Sequence, residues 1–528
     1  MLRFAPVLVL ICAPAALAQD ADPPGEPLSA IDWLSDTVAP AALLAPGGIG
    51  AISDPGSRPT RQVPADEAPV TGGALPPEVT ALPLGAVSPD PIGLLPPSVT
   101  GLPHDLWAGS DVDTLVTLIA ADPVETLPAI RDFMVTMMLA EADPPLGAGP
   151  DGALFIARVD KLLDLGVIDP AQSMLQAAGA DTGPLFRRLF DVTLLTGTEA
   201  AACAALMEKP EVSGTPAARI FCLARAGDWS AAALTLDVGT ALGDIDPADA
   251  DLLARFLDPE LFEGAAPLPA PDRVSPLVFR MREAIGEGLS TVDLPRAFAH
   301  ADLRDTMGWK TRLEAAERLA RAGALDANVL LDLYTERRPA ASGGIWERAA
   351  AIQALEAALA GAAPVEPALV TAWDEMSGAR LQVPFARLFA QAIADEDLGG
   401  AAGPIAFRVG LLSDGYEAAA LDATPADGRE AFLVGVALGD VSAMTPRGMR
   451  ESAVHAAFTG AEPPGPLTAM AADGRLGEAL LRAIALFAEG VQGDPRQATD
   501  ALALFRAVGL EDLARRSALQ FLLLDPAG

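Results

Sequence analysis

The sequence predicts an all-α protein, a degenerate α-solenoid of helix hairpins that follows a Pro/Gly-rich arm, itself disordered or extended. Three observations lead to this fold class. Apolar residues recur at helical spacing from about residue 110 onward. Aspartate-proline pairs stand where helices are expected to begin, and glycines stand where they are expected to end. Such helices bury their apolar faces by packing against one another, pair upon pair.

The first eighteen residues have the pattern of a cleavable secretory signal. A positive charge at Arg3 precedes an apolar run, and small residues precede the expected cleavage between Ala18 and Gln19. The run has roughly 14 residues, short of the about 20 that a membrane-spanning helix needs. We therefore expect a periplasmic or secreted protein that does not span the membrane once the signal is removed.

Residues 19–105 form the expected arm, because proline and glycine are frequent there and no helical period persists. One part of the arm is less polar than the rest. Between Leu28 and Ser35, the side chains of Ile31, Trp33 and Leu34 could form the apolar face of a short amphipathic helix.

The arm also contains an imperfect repeat, L-P-P-x-V-T-x-L-P, whose two copies start twenty residues apart. Proline favours an extended conformation that offers its neighbours for contact, so a docking peptide for another protein is one interpretation. A spacer that packs on its own folded body is the other, and both remain open. The residues concerned are Leu75, Pro76, Pro77, Val79 and Leu82 in the first copy, and Leu95, Pro96, Pro97, Val99 and Leu102 in the second.

Helix boundaries are indicated by two kinds of signal. Aspartate accepts hydrogen bonds from the free amides of a first turn, and proline fits the first helical position. Such pairs are Asp122-Pro123, Asp169-Pro170, Asp246-Pro247, Asp258-Pro259 and Asp494-Pro495. Glycine ends helices because it adopts the left-handed conformation without strain. The glycines with an apolar residue one turn before them are Gly166, Gly227, Gly323, Gly415, Gly474 and Gly509.

The glycines are spaced like the turns of a two-helix repeat, with 31 and 30 residues separating Gly166, Gly197 and Gly227. The segment L-A-R-A-G-D-W-S-A-A, residues 223–232, resembles the turn of tetratricopeptide repeats. That resemblance implies stacked hairpins with a groove that binds protein segments. The alanine-rich composition also resembles that of exported bacterial proteins. We expect two arrays, residues 106–265 and 266–528, divided at a cluster of prolines.

The mature chain contains two cysteines, Cys203 and Cys222. Each is expected on one of two consecutive antiparallel helices, over residues 198–208 and 215–226. An oxidising compartment favours a structural disulfide between them. Two buried free thiols are the alternative, because free cysteine is also a common core residue.

Charge and motifs limit the function. A net charge of −35 argues against nucleic acid, whose phosphates need a basic surface. No nucleophile elbow or zinc helix occurs. The string G-x-G-x-x-G at residues 147–152 follows a helix-like segment, and Pro150 lacks an amide that a phosphate would need. We therefore expect no enzyme, cofactor or metal site. The three histidines, His104, His300 and His455, share no motif, and His300 with Asp302 is expected to be a surface pair.

Two functions remain. The first is a periplasmic scaffold or adaptor whose groove binds an envelope protein or peptide. The alternative is an enzyme, or an enzyme subunit, that acts on cell-wall glycan through carboxylates that no motif reveals. The chain has 71 acidic residues, so counting carboxylates cannot decide between them.

Overall fold

A computed structural model describes Ile31, Trp33, Leu34 and the chain from Ser88 to Leu524, apart from Asp181 and Gly214. Within these residues the fold is all-α, as the sequence predicts, with twenty-five α-helices, three 3₁₀ turns and no strand. The expected signal and the first proline-repeat copy, residues 75–83, lie outside the described residues.

The N-terminal half contains a first group of five helices and then a lobe of six. The first group is α1 (Pro97–Thr100), α2 (Val112–Ala121), α3 (Pro128–Leu139), α4 (Ala153–Leu165) and α5 (Ile168–Ala177). The lobe comprises α6 (Gly183–Thr196), α7 (Ala200–Glu208), α8 (Pro216–Arg225), α9 (Trp229–Leu242), α10 (Pro247–Leu257) and α11 (Pro276–Ala284). We call residues 183–284 the disulfide lobe. The 3₁₀ turns are Pro210–Val212, Pro259–Phe262 and Arg296–Phe298.

The C-terminal half begins with the short helix α12 (Ala299–Asp302). A second lobe, residues 309–412, contains α13 (Trp309–Arg321), α14 (Ala327–Thr335), α15 (Ile345–Leu359), α16 (Val365–Gly378), α17 (Gln382–Ala394) and α18 (Ala402–Leu412). The last helices are α19 (Tyr416–Asp422), α20 (Gly428–Leu438), α21 (Gly448–Phe458), α22 (Gly465–Ala472), α23 (Leu476–Gln492), α24 (Pro495–Ala507) and α25 (Glu511–Leu523).

Each lobe has its own apolar cluster, and a larger central core joins the two ends of the chain. The cluster of the disulfide lobe runs from Phe186 to Met281. The expected division at residue 265 therefore falls within the span of this cluster. The central core combines side chains of α2–α5 with side chains of α20–α25.

The array of hairpins closes on itself. The backbone amide of Ala129, in the first turn of α3, donates to the side-chain oxygen of Gln520 on α25 at 2.8 Å. The amide of Gly477 donates to the carbonyl oxygen of Leu106 at 2.9 Å. A Cβ at Gly477 would lie 2.5 Å from the buried ring of Trp107, so only glycine permits this contact.

Most of the helix-boundary signals act as predicted. Asp246 and Asp494 cap α10 and α24 through first-turn amides, and Asp258 caps the 3₁₀ turn at Pro259. Asp169 lies inside the first turn of α5. The prediction for Asp122-Pro123 is wrong: Asp122 ends α2, and the next helix begins at Pro128. Proline disfavours the helical conformation of the residue before it, so this pair stops a helix.

The glycine signals behave similarly. Gly166, Gly227, Gly323, Gly474 and Gly509 adopt positive φ after the helices that they end. Gly415 does not, because α18 already ends at Leu412, and Gly415 precedes α19 with a φ of −91°.

Residues 88–105, which the sequence assigns to the arm, pack on the helical body through the buried guanidinium of Arg158 on α4. Nη1 donates to the carbonyl oxygens of Asp90 and Ile92 at 3.0 and 2.9 Å. Nε and Nη2 donate to those of Met138 and Ala140 at 2.8 and 2.6 Å. Burial lowers the pKa of Arg158 to about 10, so the group is charged at neutral pH.

Cys203 and Cys222 form a disulfide between α7 and α8, with their Cα atoms 5.2 Å apart. The two helices occupy nearly the ranges that the sequence indicates. Both sulfurs lie in the core of the disulfide lobe, so the bond crosslinks the lobe from inside.

Replacing Arg158 with methionine tests how strongly its guanidinium holds residues 88–95. The substitution leaves four carbonyl groups without their donor, three of them buried. We therefore expect unfolding to need at least ~3 kcal/mol less, at ~1–3 kcal/mol per buried unpaired group. Arg158→Lys should fall between, because lysine lacks the planar fork. Thermal unfolding measures the change. Exposed Arg219→Met is the control, and equal losses in both variants would contradict the assignment.

Replacing both cysteines with alanine should destabilise the disulfide lobe by about 3 kcal/mol, because the bond closes a loop of roughly twenty residues in the unfolded chain. The measurement is the apparent Tm with and without reductant. Reductant should lower the Tm of the natural chain toward that of the Cys203→Ala/Cys222→Ala variant and leave the variant unchanged. A natural chain indifferent to reductant would contradict the expectation.

Candidate peptide-binding site

Ile31, Trp33 and Leu34 lie buried in the helical body, far ahead in sequence of the next described residue, Ser88. They are 3%, 7% and 0% exposed, respectively, and the amide of Leu34 approaches the carbonyl oxygen of Ile31 at 3.4 Å. These residues form a turn, although the sequence predicts a short amphipathic helix at this position. We call Ile31, Trp33 and Leu34 the anchor segment.

The anchor segment sits against a pair of phenylalanines. The ring of Trp33 meets the ring of Phe298 at a centroid distance of 5.5 Å and an angle of 68°. Phe298 in turn meets Phe279 of α11 at 5.5 Å. The guanidinium of Arg273 donates to the carbonyl oxygen of Leu34. We call Arg273, Phe279 and Phe298 the aromatic pocket.

The contacts in the aromatic pocket are of two kinds. Edge-to-face aromatic pairs contribute about 1 kcal/mol each beyond the area that they bury. The hydrogen bond from Arg273 recognises a main-chain carbonyl, which every peptide possesses. The pocket therefore holds the ring of Trp33 by aromatic contact and the backbone of Leu34 by a hydrogen bond.

Phe298 is fixed because the segment around it, the 3₁₀ turn Arg296–Phe298 and α12, is buried. His300 Nε2 lies 2.8 Å from the carbonyl oxygen of Gly166, which assigns the ring proton to Nε2. Burial lowers the pKa of His300, so the imidazole is neutral at neutral pH. The expectation of a surface pair is wrong: His300 and Asp302 are both 9% exposed, and each bonds elsewhere.

Asp302 accepts a hydrogen bond from the hydroxyl of Thr291, and burial raises the pKa of its carboxyl. The carbonyl oxygens of Thr291 and Leu294 accept hydrogen bonds from Arg318 on α13, the first at 2.6 Å. These bonds tie the loop before Phe298 to the second lobe.

Phe279 is held in place by ion pairs around α11. The buried carboxylate of Glu199 lies 3.0 Å from Arg225 Nη2 and 3.8 Å from Arg280 Nη2. Glu283, one turn after Phe279, accepts from Arg304 Nη2 at 2.6 Å. Both walls of the aromatic pocket are therefore preorganised.

The second copy of the proline repeat packs on the protein's own body. The amide of Leu95 donates to the carbonyl oxygen of Leu139 at 3.0 Å, and Leu95 accepts from Glu141 at 2.9 Å. Leu102 is buried, whereas Val99 on α1 is exposed. This placement agrees with the spacer interpretation for that copy.

The enzyme alternative requires a group of metal ligands or paired carboxylates at one place in the fold. Among the residues that the structure describes, no group of three potential metal ligands occurs. A cavity of about 350 Å³ beside α14 contains Asp332 and Glu336, and Glu336 accepts from Arg312 at 2.7 Å. Both acids come from one helix end, whereas glycosidases place two carboxyl groups on either side of the scissile bond.

The chain has no significant match among protein-family models, curated proteins or solved structures. None of the helices in the described part of the chain is long and apolar enough to span a bilayer. The disulfide is consistent with an exported protein, because such bonds persist in oxidising compartments.

The most strongly perturbed carboxyl outside the pocket belongs to Asp122, at the end of α2. Burial raises its pKa to about 7, although the charge of nearby Lys161 opposes this shift. Lys161 Nζ donates to the main-chain oxygens of Asp122 and Ala120 at 3.0 and 3.3 Å. The folded chain thus keeps a proton on Asp122 that the unfolded chain releases near pH 3.8.

Asp122 makes stability depend on pH in a direction that can be tested. Because the folded pKa is the higher one, its contribution is complete below pH 3.8 and is lost as the pH rises through about 7. The Asp122→Asn variant cannot ionise at this position, so its Tm should exceed that of the natural chain at pH 8. We expect a gain of roughly 2 kcal/mol in the free energy of unfolding, from which the cost of burying the amide is already subtracted. The advantage should vanish near pH 4. Exposed Asp151→Asn is the control, and parallel pH profiles for Asp122→Asn and the natural chain would refute the assignment.

Proposed function

We propose that the protein is an exported scaffold or adaptor that binds short apolar segments of envelope proteins in the aromatic pocket. One observation carries the proposal: the helical body already buries a linear segment of its own chain, with Ile31, Trp33 and Leu34 as the inserted side chains. A surface that holds one such segment offers the same contacts to another.

The chemistry of the pocket indicates the kind of partner. Tryptophan is enriched among the residues that dominate binding energy, because its large ring gives much contact area at little entropic cost. Arg273 contributes a bond to the backbone. The proposed ligand is therefore a linear peptide with an aliphatic residue two positions before tryptophan and another directly after it.

The expected signal and the disulfide support an envelope location, either periplasmic or secreted. The resemblance of residues 223–232 to a tetratricopeptide-repeat turn also favours a protein-binding role, because such repeats bind segments of other proteins. No nucleic acid is proposed as a partner, given the acidic charge of the chain.

The test uses the mature full-length protein and a labelled peptide of residues 27–38. Trp33→Ala should empty the pocket of its own segment, so this variant should bind the peptide with a Kd in the micromolar range. The natural chain should bind it more weakly, because the tethered segment competes at an effective concentration on the order of millimolar. Fluorescence anisotropy measures both.

Two controls separate pocket binding from general stickiness. Trp229→Ala removes a tryptophan from another surface and should behave like the natural chain. Adding Arg273→Ala to Trp33→Ala should weaken peptide binding at least about tenfold, the equivalent of one charge-assisted hydrogen bond. If Trp33→Ala binds no peptide, or if the peptide binds equally well without its tryptophan, the proposed site is wrong.

A further inference from the structure

Helix α9 presents apolar side chains to solvent along its whole length. Leu234, Val238 and Leu242 follow one another at intervals of four residues, and they are 64%, 48% and 71% exposed. Trp229, at the start of the helix, is half exposed. Isolated exposed apolar residues are ordinary, but a contiguous row of them marks an interaction surface. Trp229 lies on another side of the helix, because the five residues that separate it from Leu234 carry the chain about 140° beyond one full turn. We call Leu234, Val238 and Leu242 the α9 stripe.

The buried side of α9 explains why the large residues point outward. Its buried residues are Ala232 and Gly239, both small. A Cβ at Gly239 would lie 2.7 Å from Cδ1 of Ile245, so glycine is required for the helix to lie this close to the chain leading into α10. The fold thus uses the small face of α9 for its own packing and leaves the large face free of cover within the described residues.

The surroundings of the α9 stripe are acidic. Between Arg225 and Arg255 the chain has six aspartates and no lysine or arginine. The six are Asp228, Asp237, Asp244, Asp246, Asp249 and Asp251. Asp237 lies on α9 next to Val238, and Asp228 and Asp244 flank the two ends of the helix. An occupant of the stripe must therefore place its charged groups in a negative field.

This field selects among the possible occupants. A second copy of the chain would bring two acidic surfaces together, which like-charge repulsion opposes. The chain's own residues 19–87 contain nine acids and two arginines, so they are repelled as well. Anionic membranes are disfavoured for the same reason. Charge complementarity therefore favours a positively charged partner.

We propose that the α9 stripe binds a cationic amphipathic helix of another protein. The stripe would pack against the leucine-type face of that helix, in the i, i+4 register of paired helices. Lysine or arginine side chains along the edges of the incoming helix would face Asp228, Asp237 and Asp244. The observations that carry this site are independent of the aromatic pocket, because α9 neither contains nor borders the residues that hold the anchor segment.

The probe is a labelled eighteen-residue peptide of leucine and lysine, with leucine at helical spacing, added to the mature full-length protein. We expect a micromolar Kd at low salt that weakens as the salt concentration rises, because charge guides the contact. Leu234→Gln with Val238→Gln should weaken binding at least tenfold. Glutamine is nearly as good a helix former as leucine, so α9 should persist, and circular dichroism checks this.

The matched control is Val292→Gln with Leu421→Gln, two apolar residues as exposed as the stripe but elsewhere on the surface. It should bind the peptide like the natural chain. A peptide with glutamate in place of lysine should not bind at all. Equal binding of both peptides, or unchanged binding by the Leu234→Gln/Val238→Gln variant, would overturn the proposal.

Two further outcomes identify a different occupant and so also overturn it. Sedimentation of the natural chain as a dimer that the Leu234→Gln/Val238→Gln variant loses would assign the α9 stripe to a second copy. Flotation of the natural chain with neutral phosphatidylcholine vesicles, lost in the Leu234→Gln/Val238→Gln variant, would assign it to a membrane surface.

Discussion

The fold depends on a single buried guanidinium. Arg158 donates to carbonyl oxygens of two stretches, residues 90–92 and residues 138–140, and its side chain is fully buried. Burying a charge is costly, and four hydrogen bonds to main-chain oxygens are what make it tolerable. Because main-chain carbonyls are fixed in direction by the backbone, this contact determines where the proline-rich segment ends and the helical body begins.

The two candidate binding surfaces use the helical body in different ways. The aromatic pocket is a junction, built where α11, α12 and the loop before it meet, and its occupant is a turn of the chain. The α9 stripe is one face of one helix, suited to another helix. These two surfaces lie on different elements of the described structure. Their charges also differ: Arg273 contributes a positive group to the first, whereas aspartates surround the second.

Local chemistry made much of the fold predictable. Helix period, aspartate caps such as Asp246, and the two cysteines on neighbouring helices depend on residues close in sequence, so the sequence reveals them. The failures have two origins. At Asp122 and Gly415 the neighbouring residues form the opposite helix boundary from the one that the signal indicates. His300 is instead settled by a distant residue, because it bonds Gly166, 134 positions away. The pocket escaped prediction because Phe279 and Phe298 become neighbours only in the fold. In the sequence, the amphipathic pattern at Ile31, Trp33 and Leu34 was the one sign of this pocket.

The contact between Ala129 and Gln520 joins residues 391 positions apart, and the site for Trp33 is complete only when Phe298 exists. Since a chain is made from its N-terminus, the anchor is synthesised long before its receptor, and the first hairpins long before their closing partners. Folding therefore cannot finish stepwise as the polypeptide emerges. The early part must wait with tryptophan and leucine unprotected, a state that invites chaperones or aggregation.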